Sequence, residues 1–144
     1  MTLPLVLDAE GLSSVASARP PDGVRALLRE AHRRDRDVIV PAVVCAEICR
    51  GAARTRQVEV ALGRRGGRDD DRPAVAIVVG DLAVAKGVGA ILHASDAGSE
   101  DLADAHVVQA CVSAGGGLVV TADPDDIRRL AEAVPGIRIV TRSP

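Results

Sequence analysis

A chain of 144 residues, 47% of them apolar, is the length of one domain and carries enough apolar surface for one continuous core, so a single domain over residues 1–144 is expected. Phe, Tyr and Trp are all absent, which makes the core aliphatic and excludes any protein that stacks bases on aromatic rings. A formal net charge of −2 excludes one that coats nucleic acid through bulk positive charge.

In chain order, Leu3-Pro-Leu-Val-Leu7 is a short apolar run that stops at Asp8, as a buried strand does when it delivers a polar residue to its carboxyl end. Pro20, Pro21 and Asp22 open a segment with Val24, Leu27, Leu28 and Ala31 on one face and Arg25, Arg29 and Arg33 opposite, which is helical spacing. Val38-Ile-Val40 predicts a second strand closed by Pro41, and from Ala42 one helix is expected through Val44, Ile48 and Gly51 toward Ala61. Residues 63–73, rich in Gly, Arg and Asp, read as an exposed loop. A strand over 75–79, a helix over 81–93 and a helix over 101–114 follow, the last stopped by Gly115-Gly-Gly117. A strand over 118–120, a helix over 125–133 and a strand over 137–140 complete the chain.

Strands alternating with helices predict an α/β domain with a central, mainly parallel sheet flanked by helices. Ligands of such sheets bind outside the carboxyl ends of the strands. Asp8 ends the first strand, Glu47 lies in the first turns after the second, and Asp123 follows the fourth; Asp104 joins them if its helix packs across the same edge. Carboxylates gathered in one cleft raise one another's pKa unless a cation neutralises them. Hard oxygen donors suit Mg2+ or Mn2+, which hold phosphate oxygens and position water for attack on a phosphodiester. Taken singly, each acid has a second explanation: Asp8 as a turn cap, Glu47 as a surface helix residue, Asp123 and Asp126 as caps of the next helix.

The combination resembles PIN-domain ribonucleases, and among them the VapC toxins of bacterial toxin–antitoxin pairs. Leu5-Val-Leu-Asp8 with Leu12 and Ser13 is similar to the first motif of that family, and Pro41-Ala-Val-Val-Cys-Ala-Glu47-Ile-Cys-Arg-Gly51 to the second. Leu102-Ala-Asp104-Ala-His-Val-Val-Gln-Ala110 and Leu118-Val-Val-Thr121-Ala-Asp123-Pro-Asp-Asp126-Ile127 are similar to the third and fourth. Ala122 stands where relatives often carry Arg, and Ile127 where they often have Phe. The resemblance implies a PIN-like three-layer fold and a metal-dependent endoribonuclease, with Asp8, Glu47, Asp104 and Asp123 as catalytic, Mg2+- or Mn2+-binding acids. It implies that Thr121 orients the site by hydrogen bonding and that Asp126 and Ser13 are auxiliary, although Ser13 also reads as a helix cap. It further implies a VapB-like antitoxin that covers the acidic cleft, and a homodimer. The alternatives within the fold are an RNA-processing nuclease and a non-catalytic binding module.

Other residues invite other readings. Of the 18 basic residues all but Lys86 are Arg, and many fall in the middle third, including Arg33, Arg34, Arg36, Arg50, Arg54, Arg56, Arg64, Arg65 and Arg68. A solvated surface explains them, and a phosphate patch is compatible. Cys45 and Cys49 lack a second Cys or His pair at matching spacing, which favours packing over zinc. His106 is two positions after Asp104 on a helix, so their side chains should diverge. Asp101 and Glu100 fit a helix-end electrostatic role better than a second metal site. A phosphorylated receiver domain needs a Lys near its last strand, where none stands, and no Gly-rich phosphate loop follows the first strand. Three cysteines, no charged lead into a long apolar run and no stretch approaching a membrane span lead to the expectation of a cytoplasmic protein with reduced thiols.

Overall fold

The computed structural model describes residues 2–63 and 73–144. Arg64, Arg65 and Arg68, and with them most of the expected loop, lie outside the described residues. The elements run β1 (Leu5–Leu7), α1 (Ala9–Val15), α2 (Asp22–Arg33), β2 (Val38–Pro41), α3 (Ala42–Ile48), α4 (Ala52–Ala61), β3 (Val75–Val78) and α5 (Leu82–Ala94). After a short 3-10 turn (Ser99–Asp101) come α6 (Leu102–Ser113), β4 (Gly117–Val120), α7 (Pro124–Ala131) and β5 (Ile139–Arg142).

The five strands form one sheet in the order β3-β2-β1-β4-β5. The sequence predicted a mainly parallel sheet; every pairing is parallel. The first strand lies in the middle, with Leu5 opposite Val38 on one side and Leu118 on the other. Its three residues are at most 1% exposed, which explains why the run is uniformly apolar instead of alternating. Leu5 and Leu7 meet Val15, Val24 and Leu28 of α1 and α2, whereas Val6 points to Cys111 of α6. The sheet therefore lies between two helical layers, α5, α6 and α7 packing together on the second face.

Three elements differ from the sequence expectation. The helix expected over 42–61 is two helices: Gly51, at φ +87°, takes a left-handed conformation, and the Arg50 Nε donates to the Glu47 carbonyl oxygen at 3.0 Å where α3 ends. The helix α1 was not anticipated, because Gly11, Ser13 and Ser14 are poor helix formers. It forms because the Asp8 carboxylate caps it, accepting the Gly11 amide at 2.7 Å. The last strand runs two residues later than expected, Gly117 pairing with Ile139.

Gly11 is what lets α1 lie against the sheet, since a Cβ there would fall on the carbonyl oxygen of Val120, the last residue of β4. Gly11→Ala gains about 1 kcal/mol of helix propensity. It sets against that an overlap with backbone that overpacked cores relieve at about 1–3 kcal/mol. Urea unfolding followed by far-ultraviolet circular dichroism is expected to give a net loss of stability; an Ala variant more stable than the parent would show that α1 is free to retreat.

Candidate metal-binding acidic site

The order of strands reverses between β1 and β4, where chain crossovers leave the sheet in opposite directions and a crevice opens at the carboxyl ends. Asp8 follows β1 and Thr121 follows β4 at that crevice. Both are buried. The Thr121 hydroxyl donates to the Asp8 carboxylate and accepts the Asp123 amide at 3.0 Å, so one side chain ties the two strand ends together. Burial pushes the Asp8 carboxyl above the usual range, against the opposing effect of Thr121 and the amides of Gly11 and Glu10.

Asp104, in the first turn of α6, faces the same crevice. Its pKa is pushed up to about 6, first by burial and then by the negative charges of Asp8, Asp126, Glu47 and Asp101. Carboxylate oxygens of Asp101, Asp104 and Asp126 all lie within 4.8 Å of one another. Arg129, one turn after Asp126 on α7, reaches Asp101 at 2.9 Å and Asp126 at 3.5 Å and offsets part of this charge.

Four of the expected acids or partners are thus brought together: Asp8, Glu47 and Asp104 through their mutual charge effects, and Thr121 through its hydrogen bond. Asp126, expected as auxiliary, is in the tightest group, whereas Asp123 stands exposed at the amino end of α7 and outside that group. Asp101 was expected to serve the helix end. It occupies the N-cap position of α6 without a capping hydrogen bond, and its carboxylate turns instead to Arg129 and the other acids. Ser13 lies within α1, where Asp8 is the cap, and its hydroxyl accepts from Arg54 of α4. The His106 ring bonds to the Leu102 carbonyl at 2.9 Å. The three cysteines are free thiols, and burial pushes that of Cys111 up to about 12. The sequence reading missed the Asp101–Arg129 pair; only the i, i+3 spacing of Asp126 and Arg129 pointed toward it.

A donor set of carboxylates, partly buried, mutually repelling and answered by one guanidinium, fits a hard divalent cation such as Mg2+ or Mn2+. Asp101, Asp104 and Asp126 are the residues whose carboxylates stand close enough together to hold one, with Asp8 and Glu47 beside them. Because Asp104 titrates higher in the folded chain than its ordinary 3.8, its contribution to stability is full below 3.8 and is lost as pH rises through about 6. In EDTA at neutral pH, Asp104→Asn is therefore expected to be more stable than the parent by on the order of 1–2 kcal/mol, from the size of such a shift reduced for solvent screening. The two melting curves should converge as pH falls toward 3.8; a variant less stable at every pH would remove the repulsion from the account.

A chain of the crystal structure of DNA-bound VapBC from Salmonella typhimurium shares the fold, with a TM-score of 0.57 and 18% identity over 97% of this chain and 98% of that one. No curated protein sequence matches. The family model of the PIN domain matches residues 5–133, a span holding Asp8, Glu47, Asp101, Asp104, Thr121 and Asp126. The chain belongs to the PIN domain family.

Proposed function

We propose that this protein is a metal-dependent endoribonuclease of the VapC toxin type, built as one PIN domain and acting in the cytoplasm as a homodimer. The observation that carries the reading is the convergence of Asp8, Asp104, Asp126, Asp101 and Glu47 on the crevice between β1 and β4. Such a concentration of like charge is a poor device for stability and a good one for holding a cation against phosphate. Bound there, Mg2+ or Mn2+ would lower the pKa of a water and stabilise charge on the leaving oxygen of a phosphodiester.

The chain's own part is geometry. Asp8 is fixed by the α1 amides and by Thr121, so its carboxylate keeps one orientation at the end of the central strand. Asp104 and Asp126 project from two helices packed on each other, α6 and α7. Arg129 pairs with both Asp101 and Asp126 and so holds them near each other. Glu47, exposed on α3, is the acid with most freedom to turn toward a substrate.

A VapB-like antitoxin that lays a basic side chain into this acidic crevice is the partner the charge invites. Both the excess of carboxylates and the fold shared with a chain of a VapBC complex support it. Among the described residues no helix is long and apolar enough to cross a membrane.

Incubation with total RNA in Mg2+, Mn2+ or EDTA tests the activity. Cleavage is expected with either metal and not with EDTA, and Asp8→Asn and Asp104→Asn should each reduce it by about a hundredfold or more. Asp126→Asn is expected to cost at least about tenfold more than Asp123→Asn, from its place in the cluster. RNA left intact by the folded parent protein in both metals would sink the nuclease reading and leave a binding module; equal losses at Asp123 and Asp126 would undo the ranking of the two.

A further inference from the structure

On the face of the sheet covered by α1 and α2, the edge strand β5 is left partly uncovered, and a cleft of about 370 Å³ opens there. Its floor is Leu118 and Val140, which are paired across β4 and β5. Its walls carry Arg34, Arg36, Arg138 and Arg142, and among the described residues no acidic one lines it. Arg34 and Arg36 precede β2 and Arg138 precedes β5, at the amino ends of the strands, whereas Arg142 closes β5 at its carboxyl end beside Thr121, so the cleft runs along the edge strand.

Most of this charge is uncommitted. Arg34 pairs with Glu30, but Arg36, Arg138 and Arg142 have no carboxylate partner among the described residues. The Arg36 Nε is buried and donates to nothing there. Arg142 gives one N–H to the neighbouring Thr141 carbonyl at 3.0 Å. A buried charged donor without an acceptor is costly, and an anion in the cleft would supply one. Arg138 just before β5, and Val140 and Arg142 within it, alternate along the chain and line the same cleft, placing two guanidinium forks along one line with an apolar strip between them. Forks of this kind match phosphate oxygens two at a time. The apolar strip suits the flat face of a base in a protein that has no aromatic ring to offer.

We propose that this cleft binds the phosphate backbone of single-stranded RNA, as a second contact apart from the acidic residues of the crevice. The proposal rests on the nuclease reading for its choice of RNA over an acidic protein segment. Binding is measured without metal, so each can fail alone.

The test is fluorescence anisotropy of a short fluorescein-labelled 2′-O-methyl oligouridine in EDTA over a range of KCl concentrations. Arg138→Gln with Arg142→Gln, both exposed positions, is expected to weaken binding by about tenfold at low salt. It should also flatten the dependence of log K on log salt by about 1.4, two contacts at roughly 0.7 each for a single strand. Arg25→Gln with Lys86→Gln removes the same charge from exposed positions outside the cleft and should leave binding near the parent's. Should the first double variant not fold, Arg138→Gln alone, with half the slope change, carries the same test. The proposal is overturned if the parent does not bind, if both double variants weaken equally, or if the cleft variant loses affinity for poly-glutamate or inorganic phosphate but not for the oligonucleotide.

Discussion

The repulsion between Asp104 and the four acids around it is the interaction on which the rest of this fold bears. Left to solvent, five carboxylates would disperse; here backbone prevents it. The central strand ends at Asp8, two packed helices carry Asp104 and Asp126, and Thr121 closes β4 onto β1 through a single hydroxyl. The aliphatic core supplies the free energy that offsets this crowding, with Leu5, Val6, Leu7, Val107, Val108 and Ile127 all at or near zero exposure on the elements that carry the acids. Thus the residues that look purely structural hold the charge in place.

What the sequence disclosed follows the range of the interactions involved. The run Leu5-Val-Leu before Asp8 and the frame around Asp104 are local patterns, and both could be read directly. The break at Gly51 was hidden because Ala, Arg and Val continue helical composition on its far side. The helix α1 was hidden because it depends on one cap and one close approach to Val120, neither of which is a periodicity. Asp123 was picked out by its place just after β4 and by the family resemblance, whereas the position of Asp126 depends on where the next helix starts. The chain instead starts α7 at Pro124, which carries Asp126 one turn round toward α6 and leaves Asp123 in solvent. The pairing of Asp101 with Arg129 joins two separate helices, and no reading of a single segment could reveal it.

A net charge of −2 conceals a strongly divided surface. Carboxylates gather in the crevice between β1 and β4, and arginines without acidic partners among the described residues line the cleft along β5, from Arg138 just before it to Arg142 at its end. The separation keeps the guanidiniums from collapsing onto the acids, which would neutralise both. Arg129 is the exception that marks the rule, being the one arginine of α7 that reaches into the acidic group.

The position of β1 also governs how the molecule comes into being. This strand leaves the ribosome well before β4, one of its two neighbours in the sheet. Pairing so distant in sequence forms slowly and late. Until β4 arrives, Asp8 has no Thr121 beside it and Asp104 no Asp126. A nascent chain that stops before β4 therefore holds four of the five acids, lacks Asp126 and leaves an open strand edge, so the acidic group is complete only once α7 has been made.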